Sequence, residues 1–396
     1  MANWKRTMWI LWVANFSITA GMSLVIPFLP FYIQSLGVHS LPAVEQWSGW
    51  IFSAQFVMSV VFQPICGAFA DRHGRKIMLL RAGFGMGIVT GLMGLVNAPW
   101  QLLLLRLLNG VFSGFISMSV SLQASITPDE HSGRALGTLS TGAIAGNLIG
   151  PLLGGALAET FGYKGVFYLT GLLLCLASVI VLFFVHENHT RATTKKKREK
   201  TTLRELRPLL PVFFASTFIQ VGMMSIEPIV SIFAKTIYTG NHIALIAGLV
   251  VSITGIANLF GAPTLGRLGD RIGQRKILIL ALLMAMLTYI PQALAHNLTV
   301  LLIGRFLLGL FIGGMIPSLN VLVKKLAPAR IMATAYGFNS SSLFLGNLIG
   351  PLLGSSVAAA FGIRWVFYVT MVVLFFNAII LFFNKKLDSP QTVHIN

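Results

Sequence analysis

GNLIGPLLG, residues 146–154, returns letter for letter at residues 346–354. Outward from that stretch the echo continues. GAFADRHGRK (67–76) has a counterpart in GRLGDRIGQRK (266–276), and LLLLRLLNGVFSG (102–114) in LLIGRFLLGLFIGG (301–314). Asp71 pairs with Asp270, Arg106 with Arg305 and Gly110 with Gly309, all at an offset of 199, which becomes 200 by Gly146 and holds through Val166-Phe167-Tyr168 and Val366-Phe367-Tyr368. One single-residue indel therefore separates two aligned copies, and a register kept over so long a stretch marks an internal duplication.

Hydrophobic residues make up 55% of the 396 and charged residues 10%, with a mean hydropathy of +0.80. That balance belongs to a membrane protein. Stretches of about 20 apolar residues, enough for a hydrocarbon core of roughly 30 Å, fall at 8–30, 47–69, 77–97, 100–121, 133–158, 163–185, 208–233, 244–266, 277–296, 299–322, 332–360 and 364–384. They predict an all-α integral membrane protein of twelve transmembrane helices in two six-helix bundles. Because six is even, the copies share one orientation, related by an axis along the membrane normal. Lys5 and Arg6 precede a first span too long for a signal peptide, with no small-residue cleavage site, so it reads as an uncleaved helix.

The net charge of +18 raises the question of nucleic acid. Its distribution excludes that reading: with the N-terminus inside, 24 of the 29 Lys and Arg fall on the inner side, three (Lys164, Lys235, Arg364) outside, and two (Arg106, Arg305) within spans. This is the positive-inside bias, and it places both termini in the cytoplasm. Cys66 and Cys175, the only cysteines, lie in apolar spans, which excludes a disulfide framework or a four-cysteine metal site. The expected organisation is an N-terminal bundle at 1–185, a basic cytoplasmic linker at 186–207, a C-terminal bundle at 208–384 and a cytoplasmic tail at 385–396. The linker, HENHTRATTKKKREKTTLRELR, has no apolar stripe and reads as a solvated tether. GFGMG (83–87) imitates part of a dinucleotide loop, but no strand precedes it, and helix packing explains it.

Three motifs resemble those of the major facilitator superfamily, and within it the twelve-helix drug:proton antiporters of the multidrug resistance protein G type. The first is the inner loop signature: Gly67, Asp71, Arg72, Gly74, Arg75 and Lys76, with Asp270 and Arg271 in the second copy. Physically it is a tight turn with glycines for the bend, a carboxylate able to cap a helix and basic residues at the headgroups. The resemblance implies a part of the inner gate. The second is Arg106 with Asn109, Gly110 and Gly114, whose arginine the resemblance associates with proton transfer; Arg305 is its copy. An arginine within a span costs about 2.5 to 3.5 kcal/mol on insertion scales, and usually faces a cavity or a partner. Arg106 lies about six residues, or ~9 Å, below the outer end of its span, where snorkelling to the headgroups is the plain alternative.

The third motif is the opening stretch. Gly142, Gly146, Gly150, Pro151, Gly154 and Gly155 resemble the helix 5 signature of exporters. Glycines four apart make a groove for close helix approach, and Pro151 removes a backbone hydrogen bond and is expected to bend the helix. The repeated copy is expected to form a symmetric seam between the halves.

Coupling to a proton gradient needs a group that changes charge, usually a carboxylate in a membrane. Of eleven acids, Glu227 alone is clearly within a span, and Ile26 stands at the matching place in the first copy. Burial disfavours a carboxylate's charge and a guanidinium favours it, so Glu227 with Arg305 or Arg106 would make a proton switch; a fixed ion pair is the alternative. The resemblance leads one to expect an acid in helix 1 as well, and this helix has none.

In the superfamily, helices 1, 4, 7 and 10 line the central cavity. Those spans here offer Phe16, Met22, Phe28, Phe112, Phe115, Phe218, Met223 and Phe311 as a dispersion-rich lining with few polar groups. A lone carboxylate among aromatics would favour lipophilic cations. The expectation is a proton-coupled exporter of amphipathic, often cationic drugs, working as a monomer in the bacterial inner membrane. It has no cofactor beyond the proton gradient, and its other contacts are protons and lipids. A lipid or glycolipid flippase, or an uptake symporter, is the alternative on the same fold. No acid, His or Cys cluster in the spans speaks for an enzyme.

Overall fold

The computed structural model describes residues 4–187, 206–328 and 331–384, without the side chains of 64, 68, 71–73, 129 and 333. The tail and nearly all of the basic linker lie outside the described residues, as do the side chains of Asp71 and Arg72. Among the described residues every regular element is helical. Apolar chain in lipid satisfies its N–H and C=O groups internally, and the helix does so locally.

Two compact units result: Met1–Ser40 with Trp50–Lys196 and Gly240–Ser252, and Leu41–Gly49 with Lys197–Thr239 and Ile253–Asn396. They follow the two sequence copies except for two short segments, each assigned to the unit built mainly from the other copy. The first copy forms α1 (Trp4–Leu24), α2 (Leu29–Ser35), α3 (Leu41–His73), α4 (Arg75–Met93), α5 (Pro99–Val111), α6 (Phe115–Ile126) and α7 (Asp129–Phe184). The second forms α8 (Leu210–Ile226), α9 (Val230–Ile237), α10 (Ile243–Ile272), α11 (Gln274–Ala293), α12 (Leu298–Ile312), α13 (Met315–Leu326), α14 (Met332–Phe361) and α15 (Ile363–Phe383).

Among the described residues, ten helical segments are long and apolar enough to cross a membrane. The difference from twelve lies in two places. The fifth and sixth expected spans run together in α7, turned at Gly162 (φ 69°, ψ 165°) with no loop between. The second expected span is covered by α3, 33 residues long, which is not one of the ten. Pro151 sits in unbroken helical backbone, so the sharp turn of this segment is at Gly162 and not at the proline.

The core of the first unit joins Leu11 and Ile18 of α1, Leu79 and Met86 of α4, Phe115 of α6, and Leu139 and Leu174 of α7. The glycines of GFGMG explain themselves here: a Cβ on Gly83, Gly85 or Gly87 would collide with Ser178, Phe112 or Cys175. Outside the core, Trp9, Phe161, Phe183 and many leucines are exposed, as helices bathed in lipid require.

Candidate functional site

Glu227 stands where a helix stops. It is the last helical position after α8, and Pro228 follows. A proline has no N–H to give the carbonyl four residues back, so the chain closes instead through Ile229 N–H to Ile226 C=O at 3.1 Å before α9 begins. The first copy is also interrupted at a proline, Pro27, between α1 and α2, where the Ile26 N–H, one residue before the proline, reaches the Ser23 carbonyl at 3.2 Å. The fourth expected span is also interrupted, between α5 and α6, by Gly114 at φ 106°. The tenth is interrupted between α12 and α13 at Gly313 and Gly314. All four interruptions lie in the spans expected to line the cavity, and interrupted helices leave backbone dipoles free to face ions and ligands.

In the second unit, Nη2 of Arg305 lies 3.6 Å from Oε2 of Glu227, with side-chain exposures of 4% and 15%. Tyr289 of α11 is within electrostatic reach of both. Arg305 is held by its helix: Gly304 beside it lets Gln292 approach so closely that a Cβ there would collide with that side chain. Breaking such a buried pair costs about 3–5 kcal/mol, because one charge is left without its partner.

Among the described residues, Arg106 of the first unit has no such carboxylate. Its Nη1 donates to Oε1 of Gln55 at 2.9 Å, its Nε is buried without a partner, and the residue is 7% exposed. That rules out snorkelling. Asn109, one turn on, donates to Thr90 at 3.2 Å. The duplicated arginines thus serve different partners, a neutral amide in one unit and a carboxylate in the other. Gln55 was not singled out from the sequence, although a glutamine inside IFSAQFVM was its visible sign.

The inner loop motif divides. Gly67 lies within α3 with open space where a Cβ would be, and makes no bend. The bend is made by Gly74 (φ 100°) and, in the second copy, by Gly273 (φ 101°). The carboxylate that caps α4 is Glu187, which accepts from the amides of Arg75 at 3.0 Å and Lys76 at 2.7 Å. The Arg75 side chain donates to the Ser121 carbonyl at 3.1 Å, and Lys76 Nζ to that of Leu182 at 2.8 Å. In the second unit Asp270 is exposed and accepts from Gln274 at 2.9 Å, Arg271 is exposed, and Arg275 donates to the carbonyls of Leu381 and Phe382. Both arrangements fasten the start of the third helix of a copy to the end of its sixth. Nothing in the sequence spacing marked Glu187 for this.

Most of the glycine motif packs on the first helix of its own copy, and its far end meets the short segment that each unit takes from the other half of the sequence. A Cβ on Gly142 would stand 2.7 Å from the Trp12 carbonyl, and one on Gly146 2.6 Å from that of Phe16; on Gly154 it would overlap the Leu24 carbonyl. All three are backbone atoms of α1. The Gly346 and Gly354 copies meet Thr217 and Ser225 of α8 in the same way. Across the seams Ser23 donates to the Gly146 carbonyl at 3.1 Å and Gln220 to Asn347 at 2.6 Å. Gly150 faces Ser23, and Gly155 faces Ala244 of α10.

The expected aromatic lining also needs correction. Phe28 is fully buried, stacked on Tyr163 with centroids 5.7 Å apart, and Phe115 belongs to the core around Leu79 and Met86. Both are packing residues without surface to offer a ligand. Phe16, Met22, Phe112, Phe218, Met223 and Phe311 keep partial exposure. Cys66 and Cys175 are free thiols.

Comparison with known proteins agrees with the duplicated architecture. The sequence profile of the Major Facilitator Superfamily matches twice, at residues 11–245 and 212–395. The chain is 41% identical over 382 residues to multidrug resistance protein MdtG of Salmonella dublin, covering 95% of each chain. It is 43% identical over 383 residues to MdtG of Klebsiella pneumoniae strain 342, covering 95% of this chain and 93% of that one. In fold it is similar to a bacterial homologue of the human lysosomal transporter Spinster, in an inward-facing, unoccupied conformation (TM-score 0.81, 16% identity, 97% of each chain). It is also similar to the nucleoside transporter NupG (TM-score 0.77, 16% identity, 96% of this chain and all of that one).

Proposed function

Because the chain belongs to the major facilitator superfamily, we propose that it is a multidrug efflux transporter that drives amphipathic, often cationic compounds outward in exchange for protons. It is a multi-pass membrane transporter and not an enzyme. The drug cargo follows from its likeness to the MdtG proteins; the proton follows from Glu227.

A carboxylate in a low-dielectric span can be answered by a proton, by the guanidinium of Arg305, or by a cationic ligand, and not by all at once. Protonation removes the charge that holds Arg305, and loss of the proton restores it. A site that must exchange one occupant for another as access alternates couples the two fluxes. Phe218 and Met223, on the α8 helix that ends at Glu227 and partly exposed, supply weakly directional apolar contact, which suits a varied set of drugs. Twelve spans, both termini in the cytoplasm, a monomeric state, the bacterial inner membrane and independence of any cofactor complete the proposal.

The observation that carries it is the buried Glu227–Arg305 pair at the break between α8 and α9. Its test is dye transport in liposomes holding the purified full chain under an imposed pH gradient, comparing the unaltered protein with Glu227→Gln. The expected result is gradient-driven movement that the substitution abolishes while dye binding survives. Equal transport by both would make the pair a structural one and defeat the coupling role.

A further inference from the structure

Arg81 falls within the expected span 77–97 and lies inside α4, six residues past Arg75, or about 9 Å along the axis at 1.5 Å per residue. Its guanidinium packs over the Phe112 ring, 5.8 Å from the centroid. Among the described residues it makes no hydrogen bond or ion pair, and its Nε is buried without a partner.

Beside it opens a cavity of about 50 Å³ lined by Gln63, Arg81, Ser113, Gly114 and Ser117, among others. The hydroxyl of Ser113 is buried there, also without a partner. The cavity borders the first turn of α6, twelve residues long, which begins directly after the left-handed Gly114. The amides of Gly114, Phe115 and Ile116 find no acceptor among the described residues, because the interruption of the span has removed the carbonyls a continuous helix would supply. A five-donor cation and an unused hydroxyl thus line one space, which Gly114 and Ser117 at the positive end of α6 also border. Its described lining holds no carboxylate.

We propose that this cavity binds a phosphate group, either free inorganic phosphate or the head of an anionic phospholipid. The donors match an oxyanion, whose several oxygens accept from a guanidinium fork and from helix amides together. The volume matches too. One water needs about 10–15 Å³ on the same measure, so the space admits a group of a few heavy atoms and not a drug molecule. Arg75 and Lys76 begin the same helix, and basic residues at the inner end of a span attract anionic headgroups, so a headgroup drawn inward along α4 is the favoured source. The site is independent of Glu227 and of the proton coupling.

The test is the unfolding midpoint of the full chain in a neutral detergent at constant ionic strength, with added phosphatidylglycerol, phosphatidylcholine or inorganic phosphate. Ligand near a hundredfold excess over its Kd raises a midpoint by about 3 °C for a chain of this length. The expected result is such a rise with phosphatidylglycerol and not with phosphatidylcholine, absent in Arg81→Gln and diminished in Arg81→Lys, which keeps the charge but loses the fork. A rise with inorganic phosphate as well assigns the site to the free anion. An equal response in Arg81→Gln, or none to either phosphate source in the unaltered protein, overturns the proposal. Should Arg81→Gln fail to fold, Arg81→Lys and Ser113→Ala carry the same comparison.

Discussion

Glu45 shows what one residue contributes beyond the transport pair. It precedes the second expected span, is 1% exposed, and leaves Oε1 without a hydrogen bond. Burial pushes its carboxyl up to about 7. A carboxyl raised in the folded state holds its proton more tightly there than in the unfolded chain, whose value lies near 4.3. Its contribution to stability is therefore full below about pH 4 and is lost as pH rises through 7. The unfolding midpoint should fall between pH 5 and pH 8, and Glu45→Gln should flatten that fall. Parallel curves for the two proteins would mean that Glu45 is ionised in the fold. Legibility at this scale was uneven. Glu227 and both arginines stood out because a charge in an apolar run is conspicuous, whereas Gln55 and Glu187 act through partners 51 and 112 positions away.

Among the elements, the two kinds of motif glycine make opposite predictions. Gly146 faces the backbone of α1, which cannot step aside as a flexible side chain can, so Gly146→Ala should cost about 1–3 kcal/mol of stability by overpacking. Among the described residues Gly67 meets nothing within 4 Å in a continuous helix, so Gly67→Ala should be neutral or stabilising by up to about 1 kcal/mol. Thermal unfolding of the two variants decides the matter; a similar loss in both would contradict the packing argument. The spans themselves were legible because lipid demands length and apolarity, which composition records. Their interruptions were less so. Pro27 and Pro228 announce a break chemically, but Gly114 and Gly162 lie among glycines that remain helical, and only a positive φ distinguishes them. The partner of the glycine seam was equally hidden, because four-residue spacing says that some helix comes close without saying which.

For the whole molecule, the duplication was plain in the sequence, and the segment assignments were not. Leu41–Gly49 belongs to the unit built mainly from the second copy, where Gly49 abuts Ser355 and the Pro351 carbonyl. Gly240–Ser252 belongs to the unit built mainly from the first, where Gly248 abuts the Pro151 carbonyl and Glu159 accepts from His242 at 2.6 Å and from the Leu245 amide at 3.0 Å. Each unit is completed by a piece of the other copy's chain. Two polypeptides cut within the linker and produced together should therefore copurify, and either one alone should be recovered in lower yield. Independent recovery of both in full yield would show that the segments contribute little.

The two segments also occupy matching places: adding the repeat offset of 199 to 41–49 gives 240–248. A reciprocal loan of the same stretch is what two identical six-span chains make when they swap domains about a two-fold axis. Once joined, the halves were free to diverge, and a carboxylate could arise at position 227 while its counterpart at position 26 stayed isoleucine.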